Sequence, residues 1–348
     1  MIEVAQFLAR VDAVIADTLQ VQRLRWVEVD QDLDLVFEEI EQLVFSGGKR
    51  LRPQFCWWGW IAAGGQDDHS AVVKMGAAIE LLHVFALFHD DVIDNADTRR
   101  GKPTAHRSMM LRHEQGNWAG ESRRFGEGAA VLIGDITHVI ADSLMSDVSS
   151  QTRSIWNEMR VEVNIGQYLD TLGSARRERR PEVAERITRY KTAKYTIERP
   201  LHLGALAADV VRGHALSSML SDYGLPLGAA FQMRDDVLGA FGDPVVTGKP
   251  VGDDFREGKP TLLLALTWAQ ATPQQLKVLD TVGSPTMTHS EIVNVQEVVR
   301  DTGALSDIES MIDSLRNDAV SSLVKKSLSG HSYEALVGLA DSVTQRSI

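Results

Sequence analysis

Five stretches of this chain, 71–93, 129–145, 155–172, 215–238 and 308–323, place apolar residues three and four positions apart. That spacing lays one apolar face along an α-helix, whereas a half-buried strand needs strict alternation. Alternating runs closed by hairpin dipeptides are scarce, so the spacing predicts an all-α protein. The prolines agree. Those at 53, 103, 181, 226, 244, 250, 260, 273 and 285 fall where breaks are expected, and Pro200 is expected to kink or end a helix. Loops are predicted at 116–128, 242–260 and 283–288. No Gly/Ser-rich or Pro-rich linker and no short repeat divides the 348 residues. One large helical domain over 1–348 is therefore expected, although length alone leans toward two.

The longest apolar run, 75–88, is interrupted by Glu80 and His83 and is too short to span a bilayer, so it reads as a buried helix and no transmembrane segment is expected. The first 19 residues read as an amphipathic helix without the basic start and apolar core of a signal peptide. The single cysteine, Cys56, lies beside Trp57 and Trp58; it reads as a buried packing residue in a reducing, cytoplasmic protein. A net charge of -12 argues against a nucleic-acid partner but leaves room for small anions at local basic clusters.

Two acidic motifs stand out. FHDDVID gives Asp90, Asp91 and Asp94 at the end of an apolar run, with Asp90 and Asp94 one helical turn apart on one face. Their carboxylates repel, and a multivalent cation would remove the repulsion. All-oxygen ligation suits magnesium, which shares substrate phosphates and keeps waters. One DDxxD run alone is as well explained by a solvated helix end. The second motif, FQMRDDVLGAFGD, delivers Asp235, Asp236 and, further on, Asp243 in the same way. Two such motifs predict two walls of one cavity, where metal ions would neutralise a diphosphate and stabilise it as a leaving group.

Cations sit beside these acids. GGKRLRP supplies Gly47, Gly48, Lys49, Arg50 and Arg52, a glycine-plus-cation pattern suited to an anion but lacking Walker spacing. Arg99 and Arg100 follow the first acidic motif, and an arginine fork matches a diphosphate. YKTAKYT gives Lys191 and Thr192, and VTGKPVGDDFREGKPT gives Lys249 and Lys259 after the second motif. His83, seven residues before Asp90 and on nearly the same face, is placed to hydrogen-bond a phosphate.

Together GGKRLRP, ELLHVFALFHDDVIDNADTRRGKPTAH, IGDI, IGQYLD, YKTAKYT, FQMRDDVLGAFGD and TGKPVGDDFREGKPT resemble the trans-isoprenyl diphosphate synthases, in that family's order across roughly 45–262. The resemblance implies about a dozen helices around a central cavity, in a homodimer. It implies that Asp90, Asp91, Asp94 and Asp235 bind three magnesium ions with the allylic diphosphate, supported by Gln167 and Asp170, with Asp236 and Asp243 as weaker candidates. Arg99, Lys191 and Lys249 would hold the same diphosphate. Lys49, Arg52, His83 and Arg100 would hold isopentenyl diphosphate. Thr192 and Gln232 would line the reacting centre. Ionisation to an allylic cation, attack by the isopentenyl double bond and loss of a proton to the departing diphosphate would follow. The second motif departs from DDxxD, with Gly239 in its last place. A class I terpene cyclase needs no second diphosphate site, a squalene-type synthase sets its acids in other contexts, and a non-catalytic subunit is expected to lose a motif.

Product length is expected to be set before Asp90. Ala86, one turn back, is small enough to let a chain pass; Phe85 is its bulky neighbour, and Leu82 lies one turn deeper. In the resembling family this pattern goes with short products, so geranylgeranyl diphosphate is the first expectation and farnesyl diphosphate the second.

Overall fold

The computed structural model describes residues 4–66, 70–242, 252–329 and 331–345. Among these residues the protein is helical apart from one two-residue strand pair. By its contacts the chain divides into two compact units, 1–153 with 203–213, and 154–202 with 214–348.

The first unit contains α1 (Val4–Val27), α2 (Asp34–Phe45), α3 (Leu51–Ala62), α4 (Ser70–Ile93), α5 (Ala105–Gln115) and α6 (Ser122–Ser143). Helix α4 is apolar nearly all round, the signature of a helix buried on every side. By length and composition it could cross a membrane, but 72% of its apolar window is buried, as the sequence predicts for its 75–88 core. Helix α1 lays Phe7, Val11, Ile15 and Leu19 into the core at helical spacing. Gly76 of α4 lets α1 approach; a Cβ there would lie 2.9 Å from Val11. Cys56 is fully buried, which pushes its thiol up and fits a packing role.

The second unit holds most of α7 (Ser150–Ala175), then α8 (Pro181–Ile187), a π-helical segment (Thr188–Glu198) and the start of α9 (Arg199–Ala208). It continues with most of α10 (Val210–Phe241), α11 (Asp253–Glu257), α12 (Leu262–Gln270), α13 (Pro273–Leu279), α14 (His289–Asp301), α15 (Ala304–Ser322) and α16 (Ser332–Thr344). Thr272 with Gln275, and Thr288 with Glu291, form capping boxes that start α13 and α14. Val237, Leu263, Leu279, Ile292, Val295 and Ile308 meet in this unit's core.

The structure departs from the sequence expectations in several places, among them α11, which lies inside the predicted loop 242–260. The predicted loop 116–128 ends at Glu121, because α6 begins at Ser122. Gly126 is a packing point rather than a break: a Cβ there would lie 2.2 Å from the His106 carbonyl of α5. Pro226 lies inside α10, so the helix runs through an expected break. Around Pro200 the chain passes from π- to α-helix instead of stopping. Proline has no N–H for the carbonyl four residues back and crowds it, which widens the preceding turns. Finally, TRRGKP forms a hairpin, Thr98 opposite Pro103 and Arg99 opposite Lys102.

Candidate active site

In the first unit, the hairpin explains the cations around the first acidic motif. Its two-residue loop, Arg100–Gly101, has φ of +51° and +75°, the positive pair that a tight hairpin turn requires. Glycine adopts this freely, whereas arginine pays roughly 1–2 kcal/mol for it. Arg100 recovers that cost through its guanidinium, which donates to the carbonyls of Leu43 and Gly47 and to Ser46 Oγ. It thereby straps the Gly47–Gly48 turn, whose residues have φ of +110° and +123°. Burial pushes the Arg100 guanidinium down, and neighbouring cations reinforce the effect.

Strand pairing turns Arg99 the other way, onto the acids. Arg99 Nη2 lies 2.6 Å from Asp91 Oδ1 and 3.6 Å from Asp90 Oδ2. Asp91 is buried, while Asp90 and Asp94 are partly exposed at the end of α4. Asp91 therefore faces the arginine rather than solvent. Arg50 is likewise turned inward, onto Glu80 at 2.8 Å, Asp12 at 3.0 Å and the Val44 carbonyl at 2.8 Å, with its own φ at +49°. Among the cations of GGKRLRP, Lys49 is exposed and Arg52 half-buried. His83 is held well below its usual pKa by burial, then by Arg52, Arg100 and Arg99, so it is a neutral imidazole at physiological pH. Phe85 stacks on His138 of α6 at 4.6 Å and meets His89 edge-on at 4.7 Å. Leu82 is fully buried and Ala86 partly exposed.

The second unit gathers the other expected residues around the π-helical segment. Lys191 Nζ reaches Asp170 Oδ2 of α7 at 2.5 Å. Thr192 Oγ1 donates to Gln232 Oε1 of α10 at 2.5 Å, and Gln232 Nε2 donates to Asp236 Oδ1 at 2.7 Å. Gln167, one turn before Asp170, is half-buried on α7. Lys259 is paired with Glu257 at 2.7 Å and lies 4.0 Å from Asp254. Lys249 and Asp243 fall outside the described residues. Asp235 is partly exposed, whereas Asp236 is buried. Burial, then Asp254, pushes the Asp236 carboxyl well above its usual range; Asp235 and Asp170 add to this, against the Gln232 hydrogen bond. The departure at Gly239 has a local correlate, since a Cβ there would lie 2.4 Å from Asp254 Oδ2.

Among the described residues, no three His, Cys, Asp or Glu side chains converge to hold a metal by themselves. Crowded carboxylates without a complete protein cage suit magnesium, which takes one or two carboxylates and fills its shell with water and phosphate oxygen. The donor set therefore fits that ion.

Residues 34–300 match the sequence profile of the family described as polyprenyl synthetase. The chain belongs to the polyprenyl synthetase family. It is similar to the geranylfarnesyl diphosphate synthase of Aeropyrum pernix, 32% identical over 77% of this chain and 80% of that one. It is also similar to the octaprenyl diphosphate synthase of Escherichia coli, 30% identical over 98% of this chain and 96% of that one. Its fold matches a solved geranylgeranyl pyrophosphate synthase from Corynebacterium glutamicum, complexed with isoprenyl diphosphate and magnesium. There the TM-score is 0.93 and the identity 36%, over 99% of this chain and 100% of that one. The all-α expectation and the family resemblance both hold, and the chain is a prenyltransferase.

As a polyprenyl synthetase it carries features that motif reading passed over. Glu162 of α7 anchors Lys194 and Arg199, and Gly166, Gly224 and Gly228 let backbones touch. Arg234, next to Asp235, clasps Glu309 with both Nη atoms and donates to the Thr344 carbonyl at 2.8 Å. An interior glycine in an apolar helix hints at close approach, but no sequence signal names the partner.

Proposed function

We propose that this polyprenyl synthetase condenses isopentenyl diphosphate with an allylic diphosphate to give a short all-trans product, geranylgeranyl diphosphate first and farnesyl diphosphate second. The carrying observation is the chain of contacts Asp170–Lys191 and Thr192–Gln232–Asp236, which brings three separate sequence segments into one acid–base array. Lys191 holds the allylic diphosphate, released from Asp170 as phosphate oxygens arrive, and Lys249 acts with it. Thr192 and Gln232 line the reacting centre. Arg99 holds the same diphosphate beside Asp90 and Asp94. Lys49, Arg52, Arg100 and neutral His83 hold isopentenyl diphosphate. Asp90, Asp91, Asp94, Asp170, Asp235 and Asp236 are the proposed magnesium contacts, and three ions are the proposed complement. Magnesium, when bound, neutralises the diphosphate and stabilises it as a leaving group.

Phe85, braced between two imidazoles, supports a short product as the floor beneath Ala86. The full-length similarity to an octaprenyl synthase supports a longer product as the alternative to both. A homodimer belongs to the same proposal: Phe125, Leu132, Ile136 and Val139 are exposed at helical spacing on α6, an apolar stripe that a second copy would cover. A single domain over 1–348 and a cytoplasmic setting complete the reading.

Purified protein should be incubated with isopentenyl diphosphate, magnesium and separate five-, ten- and fifteen-carbon primers, and the products chromatographed. A twenty-carbon product supports the reading, a forty-carbon product selects the longer-chain alternative, and a cyclised hydrocarbon overturns both.

A further inference from the structure

The π-helical segment Thr188–Glu198 carries Lys191 and Thr192, and a π-helix of eleven residues needs an external reason to persist. Its i→i+5 bonds are rare outside single-turn bulges, which often mark functional sites. Pro200 supplies one cause, by widening the turn before it. Three glycines supply the bed. A Cβ on Gly166 of α7 would lie 2.3 Å from Lys191 N, one on Gly228 of α10 would lie 2.4 Å from Ala193 Cα, and one on Gly224 would lie 3.0 Å from Glu198 Cα. The segment is thus pressed, backbone against helix, between α7 and α10.

Backbone contact fixes how near the segment lies but leaves its register along α7 open. That register is set by one carboxylate. Glu162, buried on α7, accepts from Lys194 Nζ at Oε1, from Arg199 Nη2 at Oε1 (2.8 Å) and from Arg199 Nε at Oε2 (2.8 Å). Arg199 Nη2 also reaches Glu158 Oε1, one turn earlier, at 2.9 Å. Lys194 lies inside the segment and Arg199 just after it, so Glu162 grips both the segment and its exit. Two helical turns further along α7, Asp170 takes Lys191. A forked arginine bond is directional, and a slip of one residue would leave buried charges unpaired.

We propose that Glu162 is a positioning residue for prenyl transfer: through Lys194 and Arg199 it locks the register of the π-helical segment and so aims Lys191 and Thr192. The proposal rests on the reading that Lys191 holds the allylic diphosphate, but half of its test does not depend on that reading. Glu162→Gln keeps the side-chain shape and removes the charge. Hydrogen exchange followed by mass spectrometry on the substrate-free protein should show peptides covering 188–198 exchanging about tenfold faster or more, with peptides of α4 and α14 unchanged. In steady-state kinetics the KM for the allylic diphosphate should rise about tenfold while that for isopentenyl diphosphate stays within about twofold. A merely structural role would lower kcat or yield and move neither KM.

Should Glu162→Gln not accumulate as folded protein, Arg199→Lys keeps the charge, loses the fork and should show the same pattern more weakly. Unchanged exchange across 188–198, or equal rises in both KM values, overturns the proposal. Faster exchange in a protein that transfers no prenyl group from any primer retains the register lock and discards the reading of function instead.

Discussion

The two acidic motifs look alike in sequence but are balanced differently. In the first unit, Arg99 lies against Asp91 and near Asp90, and Arg50 and Arg100 are bound into the same neighbourhood by carboxylates and carbonyls. The protein supplies its own countercharge there. In the second unit Asp236 is crowded by Asp254, Asp235 and Asp170 and is pushed toward protonation, with Lys191 spent on Asp170. The packing differs as well. Gly134 of α6 faces the His89 ring, a side chain able to swing, whereas Gly166 and Gly228 face backbone atoms. Beside the first motif the acids are compensated and Gly134 meets a side chain; beside the second the acids are crowded and Gly166 and Gly228 meet backbone. Fixed cations suit the selection of an anion, whereas crowded carboxylates suit the recruitment of magnesium.

Removing either acid tests the comparison most severely. Asp90→Ala and Asp235→Ala should each lower kcat by about two to four orders of magnitude, because metal charge stabilisation supplies several kcal/mol of barrier lowering. Raising magnesium should recover part of the Asp235→Ala loss and less of the Asp90→Ala loss, since Arg99 already offsets charge in the first half. Near-normal turnover in either variant, or full activity in excess chelator, would sink the metal assignment.

The packing contrast predicts the next largest effect. Gly228→Ala should destabilise by roughly 1–3 kcal/mol, as overpacking against a backbone does, and Gly134→Ala by clearly less. Thermal unfolding of the two variants decides it, and equal shifts in Tm would remove the distinction.

Smaller again is the division of the cations. Lys49→Ala or Arg52→Ala should raise the KM for isopentenyl diphosphate about tenfold, and Lys191→Ala the KM for the allylic substrate by a similar factor, since a charged hydrogen bond contributes about 1.5–3 kcal/mol. Variants that weaken both substrates alike would show that the sites are not separate.

The smallest effect concerns His83. Its folded-state pKa lies below the unfolded value of about 6.5, so the unfolded chain takes up a proton that the folded chain refuses. The associated stability is present above about pH 6.5 and is lost as pH falls below it. His83→Asn should therefore flatten the fall in stability between about pH 6.5 and 5.5, by at most about 1.4 kcal/mol per pH unit. An unchanged slope in urea titrations at those pH values would show that His83 titrates normally.

The parts of this design that were legible in the sequence are those carried by local pattern. Apolar spacing located α4, α7, α10 and α15, because a buried helix face must repeat with the helix. Asp90, Arg99, Lys191 and Asp235 were visible as charges clustered beside apolar runs. What stayed hidden depends on partners far along the chain. Glu162 reads as an ordinary surface acid until Lys194 and Arg199 fold back onto it. Gly126 and Gly128 read as loop residues because glycine breaks isolated helices, yet α5 leaves Gly126 no room for a side chain. Pro226 read as a break for the same reason, and α10 carries it. Arg50 shows the converse error. Its neighbours invite an anion-binding role, but a left-handed backbone turns it inward to Glu80.

Helix α16 is hung on α10 by two bonds of one kind: Tyr223 donates to the Leu336 carbonyl and Arg234 to the Thr344 carbonyl, each at 2.8 Å. Every residue type has a carbonyl, so substitutions along α16 leave both hooks in place. Inserting or deleting a residue between 336 and 344 rotates one hook by about 100° relative to the other and takes it out of reach. This stretch can therefore drift in spelling while its length stays fixed, and frame-preserving insertions there should be purged where point changes survive.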